Sequence, residues 1–298
     1  MRLIIVSGLS GSGKSVALDA LEDLGFYCID NIPAALLGGL INQMIESQDT
    51  AYDNMAVGVD ARNTAADLDS LPDLLHTLKD QGLCSEVLFL HAEDEILLKR
   101  YRESRRPHPM RHQGMSLQEA IGKERELLGS ISYSADLVID TTNTSIYDLR
   151  ELLTNRVAPK DQLGLSIQIE SFGFKHGVPF DADFVFDVRC LPNPYWEPRL
   201  RALNGRDAAV REYLAGNEIA ESMYADILAF LRNRIPEFTD HNRNYLTIAI
   251  GCTGGQHRSV YLVERIVSEL QGEFPNILIR HTELPASHTG SDNMLASA

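Results

Sequence analysis

The chain has 298 residues, 44% of them hydrophobic, which is enough length and apolar content for two domains of ordinary size. Its net charge of −15 excludes a generic polyanion-binding protein, and four cysteines without a C-x-x-C spacing exclude a zinc ribbon and a disulfide scaffold. Because no apolar run approaches ~20 residues and the first strand begins almost at Met1, we expect a cytoplasmic protein with no membrane span and no signal peptide.

The first predicted elements are a short apolar strand at 3–6 and a helix from 15 to 24. The turn between them fits the P-loop pattern, a glycine, four residues and Gly-Lys-Ser/Thr. It consists of Gly8, Leu9, Ser10, Gly11, Ser12, Gly13, Lys14 and Ser15. Glycines let backbone N–H groups curl around a phosphate at a helix N-terminus. We therefore predict a nucleotide site in which Lys14 reaches the β- and γ-phosphates and Ser15 ligates Mg²⁺.

Strands and helices alternate over the rest of the N-terminal half. The strands are predicted at 26–31, 55–60, 86–90 and 136–141, and the helices at 34–45, 68–81, 92–102, 117–128 and 145–156. Such alternation is typical of a parallel sheet that binds ligands at the carboxyl ends of its strands. We therefore predict an α/β fold, a P-loop kinase-like doubly wound parallel sheet over 1–157.

Two of these strands end in a carboxylate, Asp30 and Asp60, on the same edge of the sheet as the P-loop. In P-loop folds one such carboxylate completes the Mg²⁺ shell, and in a kinase the other accepts the proton of the attacking hydroxyl. We assign the metal to Ser15 and Asp60, and catalysis to Lys14, Ser15 and Asp30. The alternative is that each aspartate only caps the segment that follows it.

The densest basic segment, 99–109, lies between a helix and a loop interrupted by prolines, and it contains Arg100, Arg102, Arg105 and Arg106. It resembles the lid of a P-loop kinase, in which arginines meet the transferred phosphoryl group. A contact with RNA phosphates and a solvated helix face are the alternatives.

The alternation breaks at 158–162, where we place a linker. A second, smaller α/β domain is predicted over 163–284, followed by a polar tail at 285–298 that we expect to be disordered. Its strands are predicted at 165–171, 184–188, 245–250 and 277–279, its helices at 207–214, 219–234 and 260–270, and its loops at 172–177 and 191–196.

The loop between the last long strand and its helix has a cysteine, five residues and an arginine, the spacing of the anion loop of cysteine phosphatases. Its glycines free backbone donors, and Arg258 can hold a phosphate with two hydrogen bonds. We predict a phosphate site made of Cys252, Thr253, Gly254, Gly255, His257, Arg258 and Ser259. Cys252 is either a nucleophile or a small buried residue at a strand end; the sequence leaves both open, since it shows no positioned general acid.

Several long segments occur in one order, and together they resemble the RapZ/YvcJ family of P-loop nucleotide-binding proteins as far as His281. They are the P-loop, 26–31, 60–63, 170–177, 186–189, 191–194, 251–255 and 257–259. The resemblance implies ATP binding at the P-loop, GTP binding at Asp60, Ala61, Arg62 and Asn63, and weak ATPase and GTPase activity.

For some members the resemblance also implies a small RNA and a ribonuclease as partners, with an amino-sugar phosphate as the effector of the C-terminal domain. Those RNA-binding members end in a Lys/Arg-rich tail. Residues 282–298 of this chain contain neither Lys nor Arg, which argues against tight RNA binding.

Three functions follow. The first is a slow ATPase/GTPase that acts as a regulator and senses a phosphometabolite through its C-terminal domain. The second is a small-molecule kinase with Asp30 as the base, and the third is an RNA-binding adapter. The sequence leaves open the effector, a homo-oligomer, and whether ATP and GTP share one site.

Overall fold

A computed structural model describes residues 1–47, 49–80, 82–104, 107–111, 114–157, 164–241 and 243–284. The chain divides into two compact units, 1–163 and 164–298. The predicted linker at 158–162, the predicted tail at 285–298, and Arg105 and Arg106 lie outside the described residues. No helix within the described ranges combines the length and the apolar character that crossing a membrane requires.

The first unit is a five-stranded sheet with the order β2-β3-β1-β4-β5, and all of its strand pairs are parallel. The strands are β1 Arg2–Gly8, β2 Tyr27–Ile29, β3 Asn54–Gly58, β4 Cys84–His91 and β5 Leu137–Asp140. The helices are α1 Lys14–Asp23, α2 Ala34–Ser47, α3 Ala65–Asp80, α4 Asp94–Ser104, α5 Leu117–Leu127, α6 Gly129–Tyr133 and α7 Ile146–Val157. The predicted doubly wound parallel sheet is confirmed.

The central strand β1 forms because its residues can be apolar on both faces. Leu3, Ile4, Ile5 and Val6 are all at most 1% exposed, as expected for a parallel strand covered by helices on each side. In the sheet, β1 lies between β3 and β4, so the direction of the strand order reverses at β1. The loop after β1 therefore lies at the crevice where such sheets bind ligands.

The second unit is a four-stranded parallel sheet with the order β7-β8-β6-β9. Its strands are β6 Ser166–Gly173, β7 Phe184–Asp187, β8 Tyr245–Cys252 and β9 Ile277–His281, and its helices are α8 Ala208–Ala215, α9 Glu218–Asp240 and α10 Arg258–Leu270. This confirms the predicted second α/β domain. Helix α10 packs against β6, β8 and β9 and against α9, and most of its residues are buried.

Several element ends differ from the predictions, and one short helix was not predicted. Strand β6 continues to Gly173, where a loop was expected, because Gly173 pairs with Cys252 of β8. Helix α9 continues past the predicted end to Asp240 although it contains Pro236, since the preceding Ile235 is buried in the core. The five-residue helix α6 was missed, because so short a segment carries no readable helical period.

Candidate functional site

The P-loop joins β1 to α1 and ends on an uncapped helix. A Cβ at Gly8 would lie 2.3 Å from the carbonyl oxygen of Leu90 in β4, so only glycine fits there. Gly13 is the N-cap of α1 in a left-handed conformation, with φ of 110° and no side-chain capping hydrogen bond. No side chain caps the first N–H groups of α1, and a helix N-terminus with free N–H groups is an arrangement that binds anions.

Lys14 lies over this loop among three carboxylates. Its Nζ donates a hydrogen bond to the carbonyl oxygen of Gly8 at 2.7 Å. Burial lowers the pKa of Lys14, while the charges of Glu124, Asp60 and Asp30 act to raise it. Ser15 follows at an exposed position. The structure therefore brings the predicted phosphate-binding cation and the predicted metal ligand together at the start of α1.

A buried carboxylate beneath the P-loop was not predicted. Glu124 of α5 is fully buried and accepts hydrogen bonds from the Ser10 N–H at 2.9 Å and the Ser10 hydroxyl at 2.6 Å. The Nε2 of His108 lies 3.1 Å from Oε2, the oxygen that also accepts from the Ser10 N–H, and the His108 and Glu124 side chains are both inaccessible to solvent. Burial would raise the pKa of Glu124, but hydrogen bonds from His108 and Ser10 and the charge of Lys14 hold it below its usual range. A fixed negative charge therefore anchors Ser10.

The sequence does carry a signal for this residue. A capping box between Ser116 and Glu119 marks the start of α5. Within this helix, Glu124 lies four residues after Ala120 and three after Ile121, and both of these are fully buried. Glu124 therefore belongs to the apolar face of the helix. An acidic residue on such a face indicates a buried partner, although the helix alone cannot name it.

The outer side of the P-loop is held by Arg100 and Thr141. One terminal nitrogen of Arg100 donates to the Gly11 carbonyl at 3.0 Å, and the other donates to the Thr141 carbonyl at 2.6 Å. The Thr141 hydroxyl donates to the Ser12 carbonyl at 2.8 Å. Arg100, the first arginine of the predicted lid segment, therefore braces the loop from α4, whereas Arg102 is exposed.

The two predicted carboxylates differ in what surrounds them. Asp60 is buried, and Arg62 binds both of its oxygens, through Nε at 2.9 and 3.1 Å and a terminal nitrogen at 2.6 Å. Burial would raise the pKa of Asp60, but these hydrogen bonds and the Arg62 charge hold it below its ordinary value. Asp30 is exposed, and its Oδ1 lies 2.6 Å from the place a Cβ on Gly58 would take.

A metal at the predicted pair would therefore require Asp60 to release Arg62. Within the described ranges no three His, Cys, Asp or Glu side chains form a group that could hold a metal ion. Magnesium ordinarily keeps several waters and binds through one or two protein groups plus the phosphates of its substrate. The residues present fit such a loosely held Mg²⁺, and its assignment to Ser15 and Asp60 stays a prediction.

The segment predicted for GTP is built into the connection after β3. Asn63 accepts a hydrogen bond from the Ala34 N–H at 2.6 Å and donates to the Asp60 carbonyl at 3.0 Å, so it fastens the start of α2. Ala61 is buried, and Arg62 is the exposed member of the segment. These residues lie on the P-loop edge of the sheet, and their role in GTP binding stays a prediction.

In the second unit the predicted phosphate loop joins β8 to α10. The Arg258 guanidinium donates to the carbonyl oxygens of Arg189 and Leu191 at 2.8 and 3.1 Å and to the Thr253 hydroxyl at 3.1 Å. His257 is buried with Nε2 3.2 Å from the Leu200 carbonyl, and burial lowers its pKa.

This loop lines a pocket of about 380 Å³. The predicted residues Cys252, Thr253, Gly254, His257 and Arg258 are part of its wall, while Gly255 and Ser259 are buried. The wall also contains residues that no prediction named, Lys175, Asn193, Tyr195, Trp196 and Gln256. Tyr195 and Trp196 belong to the predicted loop at 191–196, whose conformation the sequence did not reveal.

Comparison with known proteins decides the family. The model of the RapZ-like N-terminal domain matches residues 1–161, and the model of the RapZ C-terminal domain matches residues 165–285. The chain belongs to the RapZ family. A nucleotide-binding protein of Methylococcus capsulatus is 52% identical over 285 residues, covering 96% of this chain and 97% of the relative. A nucleotide-binding protein of Halorhodospira halophila is 50% identical, covering 95% of this chain and 99% of the relative.

Solved structures similar to this RapZ-family chain include two kinases. A sugar kinase from Janibacter has 18% identity and a TM-score of 0.36 and covers 52% of this chain and 92% of its own. A shikimate kinase from Bacteroides thetaiotaomicron has 14% identity and a TM-score of 0.34 and covers 51% of this chain and 96% of its own. The fold assignment above stands on the strand order and pairing of this chain itself.

Proposed function

We propose that this RapZ-family protein binds ATP and GTP at the P-loop, hydrolyses them slowly, and acts as a regulator whose second unit binds a phosphorylated metabolite. The observation that supports it most is the uncapped N-terminus of α1 with Lys14 folded over it, its Nζ 2.7 Å from the Gly8 carbonyl oxygen. Helix N–H groups and an ammonium in one place form a site for the β- and γ-phosphates of a nucleotide.

Each residue around this site has a role in the proposed hydrolysis. Lys14 and the α1 N–H groups stabilise negative charge that develops on the phosphoryl group, and Glu124 holds the loop in position through Ser10. Mg²⁺ would neutralise phosphate charge, with Ser15 and one of the two strand-end carboxylates as its protein ligands. Because Arg62 binds both oxygens of Asp60, this buried carboxylate is not available to activate water, which favours slow hydrolysis.

A small-molecule kinase is the second candidate, and the position of Asp30 favours it. The Asp30 carboxylate is exposed at the end of β2. Its charge acts to raise the pKa of Lys14. In the described part of the chain neither a hydrogen bond nor an ion pair engages this carboxylate. It could accept the proton of a substrate hydroxyl. A burst of ADP that depends on an added metabolite would favour the kinase over the regulator.

ATP and GTP are expected to compete for one site. Lys14 would contact phosphates rather than the base, and the segment predicted for GTP lies on the same sheet edge as the P-loop. The measurement is a titration of a fluorescent GTP analogue, bound to the full chain, with ATP. Complete displacement supports one shared site, whereas binding of both nucleotides at saturation with independent affinities would require a second site.

Arg258→Ala is expected to remove stabilisation of the second unit by an amino-sugar phosphate or inorganic phosphate. Ligand bound only to the folded state adds about 2.7 kcal/mol at a hundredfold excess over Kd. The measurement is the melting temperature of the full chain with and without ligand. Arg211→Ala, exposed on α8, is the matched control, and Arg258→Lys separates loss of charge from loss of the guanidinium geometry. Unchanged stabilisation in Arg258→Ala would place the phosphate elsewhere.

The small RNA and the ribonuclease stay predictions of the family resemblance, and the sequence leaves the homo-oligomer open.

A further inference from the structure

The sulfur of Cys252 is surrounded by hydrogen-bond donors. Its Sγ accepts the Gly255 N–H at 3.2 Å and lies 3.2 Å from the hydroxyl oxygen of Ser259. The loop leads directly into α10, a helix of 13 residues that begins at Arg258. The positive end of a helix, a neighbouring guanidinium and several donors are the surroundings that favour a thiolate over a thiol. Cys252 is 2% exposed and yet forms part of the pocket wall.

A second observation concerns Arg258, which belongs to the wall of the same pocket. Arg258 is 4% exposed, and its terminal nitrogens are engaged by the Thr253 hydroxyl and by backbone carbonyls. Its Nε is buried and, among the residues that the structure describes, has no hydrogen-bond partner. Because the acceptors of the terminal nitrogens are all neutral, the buried guanidinium charge lacks a hydrogen-bonded counter-charge among the described side chains, which an anion bound in the pocket would supply.

We propose that Cys252 is the nucleophile of a phosphomonoester-hydrolysing site in the second unit. The proposal rests on phosphate binding at this loop, which is part of the proposed function, and adds chemistry to it. The thiolate attacks phosphorus, so that an S–P bond forms while the P–O ester bond breaks and its electron pair leaves on the ester oxygen. Water then attacks the phosphorus, the S–P bond breaks, and inorganic phosphate and the thiolate are released, with a proton passing to the solvent.

The composition of the pocket wall selects the class of ester. No carboxylate is among the wall residues within the described ranges, so the leaving oxygen has no carboxylic acid positioned to protonate it. Two carboxylates near the loop are already paired, Asp187 with Arg189 at 2.7 Å and Glu283 with His176 at 3.1 Å. Esters of acidic alcohols, above all aryl phosphates, need no such acid, because their leaving oxygen is stable as an anion. Trp196, exposed at the same wall, offers an aromatic face to an aryl group.

The charged groups around the sulfur are consistent with this role. Arg258 on α10, Lys175 after β6 and the buried His257 share the pocket, and the Asp187 carboxylate at the end of β7 is held by Arg189. Burial on its own raises the pKa of the Cys252 thiol. Hydrogen bonds from Ser259 and Gly255 and the Arg258 charge outweigh it, so the pKa lies below its ordinary value.

The test is hydrolysis of p-nitrophenyl phosphate by the full chain carrying Lys14→Ala, so that the P-loop does not contribute. Cys252→Ser is expected to reduce hydrolysis to the uncatalysed rate. Cys190→Ser, which changes an exposed cysteine, should leave it unchanged. Ser259→Ala keeps the nucleophile but removes a donor to the sulfur, so hydrolysis should slow. The melting temperature of each variant shows whether it is folded.

Thiolate absorbance gives a second readout that does not depend on turnover. The difference between the parent and Cys252→Ser, followed against pH, should show a thiolate forming below the ordinary cysteine pKa of about 8.5. Ser259→Ala should move that transition to higher pH. Equal hydrolysis by the Lys14→Ala chain with and without Cys252→Ser would overturn the proposal, and so would a thiolate transition at or above the ordinary cysteine pKa. If Arg258-dependent stabilisation by inorganic phosphate persisted in that case, the loop would bind phosphate without attacking it, and the proposed function would stand.

Discussion

Lys14→Ala is expected to abolish hydrolysis of ATP and GTP alike while the fold survives. The ammonium group would contact phosphates rather than the base, so both nucleotides lose the same interaction. Removing one preorganised donor from a site of developing negative charge typically costs about 10²–10³ in kcat. The cost to stability is small, because the hydrogen bond to the Gly8 carbonyl contributes about 0.5–1.5 kcal/mol.

The measurement is release of inorganic phosphate from each nucleotide by the purified variant, with its melting temperature as the check on folding. Lys99→Ala is the matched control, since Lys99 is exposed on α4 and belongs to the same basic segment as Arg100. Hydrolysis of either nucleotide at the parent rate by Lys14→Ala would show that the activity arises outside the P-loop.

The P-loop and the order of its flanking elements could be predicted because the information is local. Gly8 and Gly13 report backbone conformations that only glycine adopts easily, and the apolar run from Leu3 to Val6 reports a strand covered on both faces. Parallel strands bring their carboxyl ends to one edge, so the sequence could also place Asp30 and Asp60 near the loop.

The support beneath the loop could not be predicted, because it comes from distant segments. Ser10 and Glu124 are 114 positions apart, and the helical period of α5 places Glu124 on a buried face without saying what it meets. His108 completes the pair from a loop that has no regular pattern of its own. Burying a carboxylate requires partners that only the tertiary fold supplies.

The different states of Asp30 and Asp60 have a local cause that the sequence contains. Arg62 follows Asp60 by two residues, and its N–H and side chain both bind the carboxylate. The same Asp-x-Arg spacing follows β7, where the Arg189 N–H donates to Asp187 at 3.0 Å and its side chain binds both oxygens. A strand end with this spacing therefore indicates a carboxylate that is neutralised by its own segment, and Asp30, followed by Asn31 and Ile32, lacks it.

Glu124→Ala is expected to destabilise the first unit and to weaken nucleotide binding together. The substitution leaves His108 buried without its partner and removes the acceptor of both Ser10 hydrogen bonds. Leaving a buried polar group without its hydrogen-bond partner typically costs about 1–3 kcal/mol for each group. Because the folded pKa of Glu124 lies below the unfolded value of about 4.3, its contribution is complete above that pH and is lost as the pH falls through the folded pKa.

Urea unfolding can assign this loss to one unit, because the single tryptophan of the chain, Trp196, belongs to the second unit. Glu124→Ala should lower the midpoint of the helical circular-dichroism transition of the first unit, while the tryptophan fluorescence transition stays where it is in the parent. Glu126→Ala, exposed on the same helix, is the control, and Glu124→Gln should lose less because its amide oxygen can still accept from Ser10. A parental midpoint and parental nucleotide affinity in Glu124→Ala would mean that the buried carboxylate neither stabilises the first unit nor positions the loop.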